Sequence, residues 1–311
     1  MVALVAGSIT MLAAAPLAQV SAVPAVAPDL PVLLQPVQYV DVPGARLGYR
    51  EGGRGRPLVL ITGFGMTMSG WQASFVDELA RHHRVIVFDN RGAGTSTGSV
   101  ARLSVAQMAR DTARFIDVVV GGPADVLGWS MGGFIAQQLA VTSPTSVRRM
   151  VLTSTNCGGP ATVPISKPVM AILSSPTATT AQRLGILFPP NRIADGEAWV
   201  ASIGEVFAAN GSLPADSLTV PPATEAAQVR AIGPKWHGVG DGTCDRLGDI
   251  TAPTLVAAGR QDVVVASINH VALERGIPDA TSRVYDDAGH AFLFQPGLRF
   301  AAAVDRFLRR G

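Results

Sequence analysis

The stretch ADVLGWSMGGFIAQQLAV, residues 124–141, decides the fold of this chain. An apolar run typical of a buried strand ends at Ser130, and a helical pattern begins at the next residue. A serine on such a tight strand-to-helix turn needs small residues two positions before and after it, which Gly128 and Gly132 provide. The helix start adds partial positive charge next to the hydroxyl. The pattern therefore predicts that Ser130 is a nucleophile on an exposed elbow.

A second stretch, GTSTG at residues 94–98, has the same G-x-S-x-G spacing. It also follows a predicted strand, but the next helical pattern does not begin until Ser104. Without a helix directly after the serine there is no elbow, so Ser96 is interpreted as a turn serine. For Ser130 the corresponding alternative is a helix-capping serine, which the direct strand-to-helix context disfavours.

On both sides of this segment, short apolar runs alternate with helical patterns. Strands are predicted at Gln38–Val42, Leu47–Glu51, Leu58–Ile61, Val85–Phe88, Asp125–Leu127, Val147–Leu152, Thr254–Ala258 and Arg283–Tyr285. Helices are predicted at Trp71–Arg81, Ser104–Val120 with Ser104 as its cap, Met131–Val141, Ser267–Arg275 and Leu298–Arg309. Continuous apolar strands that alternate with helices indicate an α/β protein, whose mostly parallel sheet has helices on both faces.

The alternation stops between residues 158 and 247. Helical patterns occur there near Ala181–Leu187, Gly196–Ala209 and Ala223–Ile232, without a convincing strand. A helical block inside a parallel-sheet protein predicts a cap inserted over the carboxyl ends of the strands, where such sheets bind ligands. The predicted organisation is therefore a leader at 1–28, a core at 29–157 and 248–311, and a helical cap at 158–247.

Composition narrows the class of protein. Of the 311 residues, 48% are hydrophobic and 15% are charged, so the chain can bury a large core and is not a disordered protein. The formal net charge is +2, and the Lys and Arg residues are spread along the chain. Without a basic patch, nucleic acid is not an expected partner. No metal-ligand spacing occurs, so neither a metal nor an organic cofactor is expected.

The first 28 residues carry no charged side chain, and Val2 to Leu17 is largely apolar. This pattern predicts a secretory signal peptide, and hence an exported protein of the cell envelope or the medium. The run is marginal for a membrane anchor, so membrane contact is expected only through an uncleaved leader. Because the segment lacks an early Lys or Arg, a cytoplasmic location is the alternative.

A serine nucleophile needs a base, and the chain has five histidines. His82 and His83 lie in the charged run RHHR and are expected on the solvated surface, His237 lies in the predicted cap, and His270 lies within a predicted helix. His290 differs, because it lies in the turn DAGHAF directly after the last predicted strand. Its place after the nucleophile and the acid fits the chain order of a Ser–acid–His triad.

The acid of such a triad orients the imidazole and stabilises its cation. Asp262 lies in the loop that leaves the first strand after the cap, where this carboxylate is expected. Asp286 and Asp287 are rivals, but they lie so close to His290 in sequence that they are hard to aim at its ring. We therefore expect Asp262 to be the acid.

An oxyanion hole requires two backbone N–H donors. One is expected from Met131, the residue after the nucleophile, and the other from Phe64 in the loop TGFG that follows the first buried parallel strand. The alternative for that loop is a plain glycine turn.

Taken in order, LITGFG, FDNRGAGTS, GWSMGG, GRQDVVV and DAGHAF resemble the α/β-hydrolase superfamily, in its single-cap, serine esterase-like branch. The resemblance runs from about Val37 to Leu308. It departs from the usual pattern at Thr62, where a histidine commonly precedes the oxyanion glycine. Ser130 stands where dehalogenases and epoxide hydrolases of this superfamily carry aspartate, which argues against those two activities.

The resemblance and the triad together imply hydrolysis of a carboxylic ester, or a related acyl substrate, through an acyl-enzyme on Ser130. The same residues also serve C–C bond hydrolases, lactonases and cofactor-free perhydrolases or haloperoxidases, and these alternatives stay open. A non-catalytic ligand-binding protein on the same fold is the alternative from another class. The expected partner is a small acyl substrate, apolar because the predicted cap is rich in Leu, Ile, Val and Ala.

Cys157 and Cys244 are the only two cysteines of the chain, and they flank the predicted cap. Both ends of an insertion return to the same edge of the sheet, so the two sulfurs are expected near each other. In an exported protein this predicts a disulfide at the base of the cap, the alternative being two buried thiols that do not meet.

Overall fold

Short apolar runs form a single eight-stranded sheet. The computed structural model describes residues 30–160, 162–209, 219–238, 240–295 and 299–310, so the predicted leader lies outside the described residues. The strands are β1 Gln38–Val42, β2 Ala45–Gly52, β3 Arg56–Ile61, β4 His83–Phe88, β5 Ala124–Trp129, β6 Val147–Thr153, β7 Thr254–Gly259 and β8 Ala280–Tyr285. Their order is β1-β2-β4-β3-β5-β6-β7-β8, and only the β1–β2 and β2–β4 pairs are antiparallel.

Helices cover both faces of this sheet. They are α1 Ala73–Ala80, α2 Val105–Val119, α3 Met131–Thr142, α4 Lys167–Leu173, α5 Thr180–Leu187, α6 Ile193–Ala209, α7 Pro222–Arg230, α8 Asn269–Gly276 and α9 Phe300–Leu308. Apolar side chains of α2, α3 and α8 pack on one face, and those of α1 and α9 on the other. The predicted α/β class is confirmed.

Strand β3 shows why the sheet must be covered on both sides. Its side chains alternate between the faces, so Val59 and Ile61 belong to one apolar cluster while Leu58 and Leu60 belong to the other. All four side chains are completely buried. Burial of each contributes about 1.5–3 kcal/mol relative to exposure, which fixes the register of this central strand.

Between β6 and β7 the described residues form helices and turns, without a strand. Helix α4 was not predicted from sequence, because its seven residues are too few to show a helical period. Side-chain hydrogen bonds attach this helical region to the core; among them, Trp199 Nε1 donates to Gly70 O at 2.9 Å, and Thr224 Oγ1 donates to Gly92 O at 2.8 Å. In the described ranges no helix combines the length and apolar character needed to cross a bilayer.

The expectation that both residues of the His82-His83 pair are solvated is wrong for His83. This side chain is only 2% exposed, and its Nε2 lies 3.0 Å from Asp305 Oδ1 on α9. The run RHHR spans the end of one element and the start of the next. His83 is the first residue of β4 and pairs with Arg56 of β3, so the strand register turns it into the protein. Burial lowers the pKa of its imidazole.

Asp89 directly follows β4 and joins two loops at the carboxyl edge of the sheet. Its carboxylate accepts hydrogen bonds from Met68 N at 2.7 Å, Thr95 N at 2.8 Å and Thr95 Oγ1 at 2.7 Å. The next residue adds a contact, because Asn90 Nδ2 donates to Thr62 Oγ1 at 3.2 Å. Together these bonds hold the loop after β3 against the loop after β4. Burial raises the pKa of Asp89 to about 6.

Cys157 and Cys244 are joined by a disulfide, 87 residues apart in sequence. Cys157 lies four residues after β6, and Cys244 begins a short 3-10 helix before β7. The link therefore closes the base of the helical region between these two strands.

We expect the denatured, unreduced protein to show no free thiol with Ellman's reagent. The same protein should show two thiols per chain after reduction, which is the control. Replacing both cysteines with serine should lower the free energy of unfolding by a few kcal/mol, because the link restricts the unfolded chain. Two thiols per chain before reduction would rule out the disulfide.

Stability should depend on the protonation of Asp89. Its folded pKa of about 6 exceeds the ordinary value of 3.8, so the folded state binds this proton more tightly than the unfolded chain. The contribution of this proton to the free energy of unfolding is therefore complete below about pH 4 and is lost as the pH rises through about 6. The full contribution is about 3 kcal/mol. Asp89→Asn, which stays neutral, should remove this dependence in urea unfolding between about pH 4 and pH 7. Parallel pH profiles for the two proteins would contradict the prediction.

Candidate active site

Ser130 lies between the last residue of β5 and the first residue of α3, in a strained backbone conformation. Its φ is 55° and its ψ is −117°, a region that residues other than glycine rarely adopt. Neighbouring groups hold this turn: Ser130 N donates to Thr153 O at 2.9 Å, and Ser130 O accepts from Thr155 Oγ1 at 2.9 Å. The hydroxyl makes no capping bond to α3, which removes the helix-capping alternative for this serine.

The two elbow glycines are required by the close packing around Ser130. A Cβ at Gly128 would lie 2.3 Å from Gly132 O, and a Cβ at Gly132 would lie 2.1 Å from Ile61 O. Both contacts are with backbone atoms, which cannot move aside without disturbing β3 and α3. The sequence requirement for glycine at both positions thus has a direct steric cause.

Ser96, in the competing G-x-S-x-G stretch, is a structural turn residue. It is only 7% exposed, and its Oγ donates to Asp89 O at 2.7 Å while accepting from Gly48 N at 2.9 Å. The hydrogen bonds of this hydroxyl therefore hold the loop after β4 against β2.

His290 and Asp262 meet at the carboxyl edge of the sheet, in the loops after β8 and β7. His290 Nδ1 lies 2.8 Å from Asp262 Oδ2, and both residues are buried. The other carboxylate oxygen, Asp262 Oδ1, accepts from Val264 N and Val265 N, each at 2.8 Å. These bonds fix the carboxylate, and its bond to Nδ1 leaves Nε2 as the imidazole nitrogen available for chemistry.

The backbone of the His290 loop is fixed as well. His290 O accepts hydrogen bonds from Trp129 Nε1 at 3.0 Å and from Ser154 Oγ at 2.8 Å. Trp129 directly precedes the serine of the elbow, so its indole connects the elbow to the histidine loop.

The rival acids point elsewhere. Asp286 pairs with Arg260 on the surface. Asp287 accepts from Asn191 and Arg192, and these bonds lower the pKa of its carboxyl. The structure therefore brings Asp262, and neither rival, to the ring of His290.

The loop after β3 approaches the elbow closely. A Cβ built on Gly63 would lie 3.4 Å from Ser130 Cβ, so the following residue, Phe64, is next to the serine. Among the residues that the structure describes, the amides of Phe64 and Met131 have no hydrogen-bond acceptor. Two free N–H groups beside a serine are the arrangement that an oxyanion requires.

Helix α7 supports this loop from the side of the predicted cap. Gln228 is completely buried, and its Oε1 accepts from Gly65 N at 3.0 Å. Gly65 has a φ of 64°, in the left-handed region that favours glycine. Sequence reasoning missed Gln228, because a single glutamine in a helical pattern carries no signal of a contact 163 residues away.

Ser130 and His290 line one cavity of about 170 Å³, together with Phe64 and Trp129. Residues between β6 and β7 supply a mainly apolar part of the lining, which includes Ile165, Met170, Leu173, Arg183, Ile186 and Ile232. Arg183 was also missed from sequence, because its position in the cavity depends on how α5 packs. In the described part of the chain, no three His, Cys, Asp or Glu side chains come together as a metal site.

Comparisons with known proteins agree with this architecture. Residues 58–303 match the model of a family described as the alpha/beta hydrolase family. A proposed carbamate hydrolase of Azorhizobium caulinodans is 31% identical over 258 residues, which cover 82% of this chain and 91% of the relative. A 2-hydroxy-6-oxononadienedioate/2-hydroxy-6-oxononatrienedioate hydrolase of Burkholderia vietnamiensis is 30% identical over 276 residues, or 85% of this chain and 91% of the relative.

Among solved structures, an alpha/beta hydrolase fold protein from Chitinophaga pinensis superposes with a TM-score of 0.78 at 26% identity. The match covers 89% of this chain and 98% of that protein. With a family match over most of its length and relatives that are hydrolases, the chain belongs to the alpha/beta hydrolase family.

Proposed function

We propose that the protein is a serine hydrolase that cleaves carboxylic esters through an acyl-enzyme on Ser130. One observation carries the proposal: a serine on a strained elbow and a histidine bonded to a buried aspartate line the same cavity. Serine is a weak nucleophile at neutral pH, and a base oriented by a carboxylate is the usual means of activating it.

In the acylation step, Ser130 Oγ attacks the carbonyl carbon of the ester while its proton passes to His290 Nε2. The carbonyl π electrons move to oxygen, and the Phe64 and Met131 N–H groups stabilise the resulting oxyanion. Asp262 stabilises the imidazolium that forms. When the tetrahedral intermediate collapses, the C–O bond to the alcohol breaks, and His290 returns the proton to the leaving oxygen.

Water completes the reaction by the reverse sequence. His290 removes a proton from water as the water oxygen attacks the acyl carbon, and the same two N–H groups hold the second oxyanion. Collapse breaks the bond to Ser130 Oγ, which regains its proton, and the carboxylic acid leaves. All proton transfers use His290, so the step needs no metal or organic cofactor.

The apolar cavity wall supports an ester with an apolar acyl group. The relatives named above act on carbamates and on a dioate, according to their names, and attack on a carbonyl carbon can begin both reactions. Lactone, C–C bond and perhydrolytic chemistry remain alternatives on the same residues. The presence of a serine elbow, a His–Asp pair and two free amides argues against a purely ligand-binding protein.

We further propose that the protein is exported. The apolar leader at residues 1–28 supports this, as does the Cys157–Cys244 disulfide, because such bonds persist mainly in oxidising compartments.

The first test is the nucleophile itself. We expect a fluorophosphonate probe to label Ser130 alone, and Ser130→Ala to lower the turnover of short p-nitrophenyl esters by about 10^4 to 10^6. Ser96→Ala is the matched control, since it removes the serine of the other G-x-S-x-G stretch. The probe should still label the Ser96→Ala protein. Labelling that survives Ser130→Ala but not Ser96→Ala would reverse this assignment.

The second test concerns the acid and the base. Asp262→Asn should lower kcat by about 10^4, because the imidazole loses its orienting carboxylate. His290→Ala and the Asp262→Asn/His290→Ala double variant should have the same residual activity, since members of a triad act as a unit. Asp286→Asn and Asp287→Asn are the controls and should keep nearly full activity. A fully active Asp262→Asn protein would point to one of the rival acids.

A further inference from the structure

Arg183 is the one permanently charged side chain among the residues that line the described cavity. It lies on α5, and the other lining residues between β6 and β7 have apolar or aromatic side chains. None of the described residues that line this cavity is an aspartate or a glutamate. Among those residues, the cavity therefore combines an apolar wall with one fixed positive charge.

The backbone around Arg183 is well anchored. A capping box starts α5: Gln182 N donates to Thr179 Oγ1 at 3.2 Å, and Thr179 N donates to Gln182 Oε1 at 2.8 Å. With the residues that the structure describes, the guanidinium itself makes one hydrogen bond, from Arg183 Nη2 to Ser175 O at 2.9 Å. A carbonyl oxygen satisfies only one of the five N–H donors of an arginine.

Within the described ranges, Arg183 has no carboxylate within ion-pair distance. Arg192, also between β6 and β7, shows the contrast, because it pairs with both Asp195 and Asp287. A partly buried guanidinium loses hydration, and an anion that meets its planar donors compensates for that loss. In an otherwise apolar cavity, the ligand is the natural source of that anion.

We propose that Arg183 binds a carboxylate carried by the substrate, so that the preferred esters have an apolar chain with an anionic group at its far end. This inference rests on the proposed function, since it names the substrate class of the same cavity. Arg183 would act as a specificity residue: it binds the substrate away from the reacting carbonyl and takes no part in the bond changes.

The test compares matched esters by pH-stat titration. Monoethyl adipate and ethyl hexanoate differ by a carboxylate on the acyl side, while 4-acetoxybutanoate and butyl acetate differ by one on the alcohol side. In at least one pair, kcat/KM of the wild-type protein should be about tenfold or more higher for the ester with the carboxylate than for its neutral counterpart, as expected for a hydrogen-bonded charge. Arg183→Met should abolish that preference by raising KM for the anionic ester, with little change for the neutral one.

Arg230→Met is the matched control. Arg230 lies on α7, in the same helical region, but it is exposed and does not line the cavity. Its replacement should leave the preference intact. High salt should weaken the preference of the wild-type protein for the anionic ester, because that preference depends on an ion pair. The ratio of kcat/KM values for the two esters should not change with salt in the Arg183→Met protein, which lacks the pair.

A binding measurement separates this inference from the proposed function. In the Ser130→Ala background, Arg183→Met should weaken the binding of the preferred anionic ester by about tenfold, whether or not the wild-type protein turns it over. If the wild-type protein hydrolyses neutral esters through Ser130 but neither pair shows a preference that depends on Arg183, the inference fails and the proposed function stands. If no ester is hydrolysed and binding is unchanged in Arg183→Met, both fail.

Discussion

The positive φ at Ser130 is the constraint on which the rest of the site depends. A backbone in this region costs about 1–3 kcal/mol, and the protein maintains it by packing the turn between β3, β6 and α3. Because Gly128 and Gly132 allow backbone atoms to meet at distances that no side chain permits, the elbow is rigid. The elbow therefore holds the Ser130 hydroxyl and the Met131 amide in fixed positions relative to each other.

Two further loops are fixed relative to that elbow by buried polar contacts. Trp129 and Ser154 hold the backbone of His290, and Asp89 anchors the loop after β3 from one side. Gln228 anchors the same loop from the other side. The helical region between β6 and β7 thus does more than cover the cavity, because it shares in positioning the loop that carries Phe64.

Local patterns explain why so much was predictable from sequence. The elbow is defined by consecutive residues, and each strand and helix of the core has its own period, so Ser130, β5 and α3 follow from one stretch of sequence. Its place after β7 distinguishes Asp262 from its two rivals, and the structure brings it to His290. Contacts between distant segments leave no such pattern. Gln228, Arg183 and the burial of His83 each depend on how separate elements pack, which one sequence does not encode locally.

The disulfide has a consequence for how the protein withstands damage. Cys157 and Cys244 close a covalent ring that contains α4, α5, α6 and α7. A protease that cuts one peptide bond inside this ring produces two chain segments that remain one molecule, with both ends still attached beside the sheet. A single cut in the cavity wall therefore leaves that wall attached to the rest of the protein through the disulfide.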